Sequence, residues 1–128
     1  MLTLEIAKKL KEAGFNKPCI ANYHIHKDAS SVLKYSANLH DSNYIDVIPC
    51  PSLEELLAEM PREIKTDVIG VTETFELNMD KIEDGYYFAY RIQLEDGDWR
   101  TAINCLYPDP TEAVAQLYLK LRQEGLIK

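Results

Sequence analysis

From Tyr86 to Leu94, every second residue is large and apolar, and the residues between them form a mixed, more polar set. This period of two residues is typical of a half-buried strand, because successive side chains point to opposite faces. The dipeptide Asp96-Gly97 follows, and it is a strong hairpin signal, since a type I′ turn needs positive φ at both central residues. A two-residue loop fixes the register and pairs Leu94 with Trp99, Tyr90 with Ile103, and Phe88 with Cys105. The pattern therefore predicts a hairpin whose apolar faces coincide and which holds Trp99 on the core face.

Three segments have the capping residues and the apolar spacing of amphipathic helices. The first covers residues 3–13 and is followed by Gly14. The second starts at Ser52, where Glu55 completes a capping box, and it ends or kinks at Pro61. The third is capped by Asp109 and continues to residue 124. These segments predict one helix near the start of the chain, one near its middle and one at its end.

The remaining pattern predicts more strands and one less regular region. Residues 67–77 alternate as a strand, in which Glu73 interrupts the apolar face and so predicts a position at the sheet rim. Residues 78–85 are expected to form a polar loop. Residues 16–50 are interpreted as an excursion over the sheet edge, or an arm. Short strands are predicted there at 20–26 and 44–48, and strand or irregular structure at 30–40.

This order of elements indicates an α+β fold in which an antiparallel sheet, with a three-strand meander, packs against helices as an α/β sandwich. A chain of 128 residues fits a single domain, residues 1–128. The predicted second face of the meander is mixed, so it is either covered by another element or used in an interface. Its expected members are Tyr87, Ala89, Arg91, Gln93, Arg100, Ala102, Asn104 and Leu106.

Charge and composition narrow the class of partner. The net charge is -7 with a pI of about 4.9, and no basic patch is visible beyond three lysines in the first helix, which argues against nucleic acid. No stretch reaches the roughly 20 apolar residues that a membrane helix needs, so no membrane association and a cytoplasmic location are expected. The three cysteines, Cys19, Cys50 and Cys105, are odd in number and form no CxxC, which argues against a disulfide framework and a zinc knuckle.

Candidate chemistry is sparse. His24 and His26 form an H-x-H in a predicted strand, where both side chains point the same way, and His40 with Asp41 and Asp46 would complete a metal site. Cys19 or Cys50 beside a histidine would make a nucleophile pair, but no family signature surrounds either thiol. No phosphate loop, GxSxG, HExxH or GxGxxG occurs. The sequence therefore assigns no catalytic residue, cofactor or metal ligand, and keeps the three histidines as candidates.

The aromatic residues cluster in the predicted meander. They have two interpretations: core residues and cross-strand pairs, or an exposed tyrosine-rich interface, since Tyr and Trp are favoured at protein contacts. The residues concerned are Tyr86, Tyr87, Phe88, Tyr90, Trp99 and Tyr107.

Three motifs resemble those of small phage and prophage proteins of the phage α-β-α sandwich type. They are the P-[ST]-LEELL helix at residues 49–57, the last helix at residues 109–126, and the opening residues 7–15. The resemblance implies a mobile-element origin and no enzymatic activity. Our first hypothesis is therefore a phage- or prophage-derived accessory protein that binds a protein partner or itself, as a homodimer. The alternatives are a small metal-binding protein or hydrolase using His24, His26 and His40, and an antitoxin-like inhibitor whose acidic surface occupies a basic partner site.

Overall fold

The computed structural model describes residues 1–35, 44–68 and 70–127. These residues form three helices and seven strands, and all strand pairings are antiparallel. The predicted α+β class, with a meander packed against helices, is confirmed. The elements are α1 (Leu4–Glu12), β1 (Asn22–His26), β2 (Ser31–Lys34), β3 (Tyr44–Pro49), α2 (Leu53–Glu59), β4 (Glu63–Val68), β5 (Val71–Ile82), β6 (Gly85–Gln93), β7 (Trp99–Tyr107) and α3 (Pro110–Gln123).

The predicted capping residues define the helix ends. Asp109 caps α3, and Ser52 forms the expected reciprocal capping box with Glu55 at the start of α2, whereas Thr3, expected as the first residue of the first helix, is the cap of α1. After α1, the amide of Phe15 donates to Leu10 O at 2.9 Å, which is the long hydrogen bond of a Schellman ending. The three helix predictions are therefore confirmed. No helix in the described ranges is long and apolar enough to cross a membrane.

The main sheet has four strands in the order β4-β5-β6-β7. The predicted meander is present as β5 to β7, but the strand expected at residues 67–77 is divided at Gly70 between β4 and β5. The polar loop expected at residues 78–85 is also wrong, because β5 continues to Ile82. Asn78 and Asp80 continue the alternation that starts earlier in β5, since polar side chains on one face of a strand do not interrupt it.

The described parts of residues 16–50 form a second sheet in the order β2-β1-β3. The strands predicted at 20–26 and 44–48 are present as β1 and β3, and β2 lies in the segment predicted as strand or irregular. Tyr23 and Leu33 from this sheet pack against the main core, and the Tyr23 hydroxyl donates to Leu2 O at 2.7 Å. Its β3 strand also contacts α1.

The core lies between the main sheet and the helices. Helix α3 packs on β6 and β7, and α2 packs on α3, so that one face of the sheet is buried. Phe75, Tyr90 and Leu117 are fully buried in this cluster. The Tyr90 hydroxyl donates to Pro61 O at 2.6 Å and joins the sheet to the segment after α2. The helices α2 and α3 therefore cover one face of the main sheet and leave the opposite face of the same four strands without them.

Candidate interaction surface

The side chains of the main sheet that point away from α2 and α3 make up what we call the open face. Its membership follows from the cross-strand pairing, because directly paired residues share a face. Most of these side chains are exposed, whereas Ala89 in the centre of the face is buried. The open face consists of Glu63, Lys65, Asp67, Thr72, Thr74, Glu76, Asn78, Asp80, Ile82, Tyr87, Ala89, Arg91, Gln93, Trp99, Thr101, Asn104 and Leu106.

An irregularity in β7 changes which residues reach the open face. The predicted pairs of Tyr90 with Ile103 and of Phe88 with Cys105 are confirmed, but the register then shifts, and Trp99 pairs with Gln93 instead of Leu94. Ala102 is the extra residue of this bulge, and one extra residue exchanges the two faces of a strand beyond it. The prediction that Trp99 faces the core is therefore wrong.

The hairpin loop is consistent with this register. The amide of Gly97 donates to Leu94 O at 2.9 Å, the amide of Leu94 donates to Asp98 O at 2.7 Å, and Gly97 has φ of 90°. This is a three-residue loop with a glycine in the left-handed region, and not the predicted two-residue turn. Loop and bulge together bring Trp99 to the open face, where its side chain is 46% exposed.

The same bulge places Arg100 on the core face. This residue was predicted on the second face, but it pairs with Ile92 on the core face. There its guanidinium forms an ion pair with Glu73, the carboxylate that interrupts the core face of β5. The two side chains are 42% and 20% exposed, which agrees with the predicted rim position of Glu73. The bulge therefore brings a cation to a partly buried carboxylate.

Tyr87, Arg91 and Trp99 form a row on the open face, which we call the aromatic–arginine row. The Cζ atom of Arg91 lies 4.2 Å from the centroid of the Trp99 ring and 5.5 Å from that of Tyr87. Its guanidinium also forms an ion pair with Asp80 on β5, and the Arg91 side chain is only 12% exposed. The attraction between a guanidinium and aromatic faces holds this row in place. Leu106, paired with Tyr87 and 41% exposed, extends the row at one end.

The rest of the open face is acidic. Its carboxylates are Glu63, Asp67, Glu76 and Asp80, against the cations Lys65 and Arg91. Glu63 and Glu76 are directly paired across β4 and β5. Like charges in this position destabilise a sheet, so this pair has a cost that the fold itself does not require. The hairpin loop beside Trp99 adds Glu95, Asp96 and Asp98, all exposed.

The edges of the main sheet are less suited to binding another chain. Among the described residues β4 and β7 are its edge strands. Strand β4 alternates Glu63, Lys65 and Asp67, and β7 has the bulge at Ala102 and the Lys120 ammonium on Asn104 O at 2.8 Å. Edge charges and bulges are devices that prevent strand addition. The face is therefore more accessible to a partner than the edges are.

The predicted aromatic cluster divides between the two faces. Phe88 and Tyr90 are buried in the core, and Tyr86 and Tyr107 pack partly buried against it. Tyr87 lies on the open face with Trp99. The first interpretation, core residues and cross-strand pairs, therefore applies to most of the cluster, and the exposed aromatic surface is the row around Arg91.

An apolar groove of about 480 Å³ lies on the other side of the sheet, between α2, the β5–β6 hairpin and the start of α3. Met79, which borders it, is 53% exposed. Lys81 lies over the nearby Tyr86 ring, 5.6 Å from its centroid. The groove is lined by Leu53, Leu57, Leu77, Asn78, Met79, Tyr86, Phe88 and Pro110.

The histidine candidates are only partly within the described ranges. His40 and Asp41 lie outside them. His24 is fully buried on β1, His26 is partly buried, and Asp46 pairs with Ile25, which places its carboxylate on the opposite face from His24. Asp46 instead accepts a hydrogen bond from the Lys11 ammonium at 2.8 Å, and this bond lowers the pKa of the carboxyl. In residues 1–35, 44–68 and 70–127, no three metal-ligating side chains are grouped.

The cysteines lie in environments that favour the thiol. Burial, with the nearby Glu55 carboxylate, raises the pKa of Cys19 to about 12. Burial also raises the pKa of Cys50 and of Cys105. A nucleophilic cysteine needs the thiolate, so these environments do not activate any of the three thiols.

Comparison with known proteins adds no further constraint. No protein-family model, curated protein or solved structure matches this chain. The class that fold and surface define is an α+β protein with helices on one face of an antiparallel sheet and an acidic, aromatic-centred opposite face.

Proposed function

We propose that this chain is a non-enzymatic binding protein whose open face docks onto a basic surface of a partner protein. The observation that carries the proposal is the aromatic–arginine row on an acidic sheet face, in which the exposed Trp99 is held by Arg91 beside the half-buried Tyr87. Trp, Tyr and Arg are the residues most enriched at the energetic centres of protein interfaces. A surrounding polar rim, as on this face, is the usual anatomy of such a contact.

The charge of the face selects the partner. An acidic face attracts a basic protein surface and speeds its association, whereas it repels nucleic acid and anionic lipid. Self-association through this face would bring two copies of the same carboxylates together, in a chain whose net charge is already -7. The partner is therefore a different and basic protein.

The pairing of Glu63 with Glu76 also supports a basic partner. A cross-strand pair of carboxylates costs the free protein stability, and a cation from a partner placed between them would remove this cost. Both side chains are exposed, so a partner's lysine or arginine can reach them.

The biological setting is proposed from the sequence motifs. The helix motifs at residues 49–57 and 109–126 resemble those of small phage and prophage proteins, which supports a mobile-element accessory protein in the cytoplasm. A protein that covers a basic site on its partner would act as an inhibitor of the antitoxin-like kind. The metal-binding alternative stays an untested prediction, since His40 lies outside the described residues.

Nuclear magnetic resonance with a defined probe tests the proposal. We would titrate the isotope-labelled chain with a short basic peptide containing both lysine and arginine, at low and at high salt. We expect the amide shifts to concentrate on β4 to β7 and the affinity to fall as salt rises, because the attraction between exposed charges is screened.

The control is an acidic peptide of the same length, which should cause no shifts. Replacing Glu76 by Gln should weaken binding of the basic peptide, whereas Glu5→Gln on the exposed side of α1 should not. Shifts that centre on α1, or no binding at low salt, would contradict the proposal. Dimerisation of the free chain through β4 to β7 would favour self-association instead.

A further inference from the structure

The aromatic–arginine row is an alternating stack of rings and a guanidinium, and the ring at one end, Trp99, is exposed. Tyr87, Arg91 and Trp99 follow one another as ring, guanidinium and ring. Arg91 covers one side of the Trp99 indole at 4.2 Å, yet 46% of the Trp99 side chain remains exposed. A further cation placed against the exposed side would continue the alternation.

We infer that Trp99 is a receptor for an arginine side chain of the partner, with the carboxylates of the adjacent hairpin loop as its acceptors. This inference rests on the proposed function and specifies the group that the open face recognises. A guanidinium is planar, stacks on aromatic faces and is more weakly hydrated than an ammonium, so it suits a flat indole better than lysine does. Trp is also the best ring for cation–π attraction.

The surroundings of Trp99 neutralise the repulsion that a second cation would meet. Arg91 already forms an ion pair with Asp80, so its charge is compensated within the chain. Glu95, Asp96 and Asp98 in the loop that precedes Trp99 are exposed, and none of them forms an ion pair with another described residue. A guanidinium on Trp99 therefore finds a net negative environment.

Arg91 acts here as a positioning residue. It is paired with Asp80 and lies between two rings, which fixes the Trp99 indole on the sheet before any partner arrives. A receptor ring that is already fixed loses little conformational entropy on binding. The exposed Tyr35, by contrast, lies outside the main sheet and its open face, so it is a suitable control.

The test compares two peptides of equal length and charge, one rich in arginine and one rich in lysine, by isothermal titration calorimetry. We expect the arginine peptide to bind about two- to fivefold more tightly, because a guanidinium stacks flat on an indole and is less hydrated than an ammonium. Trp99→Ala should abolish this preference while the lysine peptide still binds. Tyr35→Ala should keep the preference, and circular dichroism should show both variants folded.

The outcomes distinguish a failure of the arginine inference from a failure of the proposed function. Equal affinity for the two peptides would overturn the arginine inference and leave a basic partner in place. A preference for arginine that survives Trp99→Ala would also overturn it, because another residue would then be the receptor. If neither peptide binds at low salt, both the arginine inference and the proposed function fail.

Discussion

The two faces of the main sheet are built from the same strands and have opposite compositions. The core face holds Phe75, Phe88 and Tyr90, all buried in one cluster with the helices. The open face holds Tyr87, Arg91 and Trp99 among carboxylates, without a helix over them in the described residues. The core face thus buries its aromatic residues to stabilise the fold. The open face keeps large aromatic surface exposed, which folding does not require.

The difference between the two faces depends on the bulge at Ala102 in β7. The bulge at Ala102 moves Trp99 outward and Arg100 inward, so a single inserted residue assigns an aromatic ring to the surface and a cation to the core rim. A strand without the bulge would have buried the ring and exposed the cation. The comparison of the two faces is therefore also a comparison of two registers, and mutations can test it.

Matched leucines give the largest expected difference. Leu117 of α3 is fully buried on the core face, whereas Leu106 is 41% exposed on the open face. We expect Leu117→Ala to lower the free energy of unfolding by about 2–5 kcal/mol, because it leaves a cavity. Leu106→Ala should change it by only about 0.5 kcal/mol. Urea unfolding of both variants measures this, and equal losses would mean that the open face is covered.

The ion pair between Arg100 and Glu73 should give a smaller effect. Arg100→Ala leaves a partly buried carboxylate without its cation, and we expect a loss of about 1–2 kcal/mol. The double variant with Glu73→Gln should recover part of this loss, since the uncompensated charge is then absent. Additive losses in thermal or urea unfolding would indicate that the two side chains do not interact, and that Arg100 lies on the other face.

The paired carboxylates should give an effect of opposite sign. Glu76→Gln removes the repulsion from Glu63, so we expect the free energy of unfolding to rise by about 0.2–1 kcal/mol. The same variant should bind a basic peptide more weakly. A loss of both stability and binding would instead point to a structural role for the Glu76 carboxylate.

The smallest expected effect concerns the ion pair of Lys11 with Asp46, which lies outside the main sheet. The Lys11 hydrogen bond lowers the pKa of Asp46 below its ordinary value of 3.8, so the ionised carboxyl stabilises the fold above that pH. This contribution, at most about 0.5 kcal/mol for a surface pair, should disappear as the pH falls below the ordinary value. Lys11→Met should therefore be less stable than the parent at neutral pH and equal to it in acid, as urea unfolding at several pH values would show.

The helices and most of the meander were predictable because their signals are local. The capping residues Ser52 and Asp109 each act within three residues, and the alternation of β6 is visible in the sequence. The continuation of β5 past Leu77 was missed because its outward residues are polar, although the alternation persists there. The division at Gly70 was missed because apolar residues flank it on both sides.

The candidate site was only partly predictable. Tyr87 and Arg91 were placed correctly on the second face, since both lie before the bulge. The sequence pattern favours the core face for Trp99 because a Gly after an Asp fits both a two-residue and a three-residue loop, and the loop length decides which face each later residue of the strand occupies. One signal was present in the sequence: Glu73 on the core face of β5 needs a cation, and Arg100 reaches that face only if β7 has a bulge.

Acrylamide quenching of the Trp99 fluorescence tests the central claim most directly, because Trp99 is the only tryptophan of the chain. The account predicts that acrylamide quenches Trp99 readily in the free protein and that an arginine-rich peptide protects it. A tryptophan that is shielded in the free protein would contradict its place on the open face. A tryptophan that stays equally quenchable while the peptide is bound would contradict its role as the receptor.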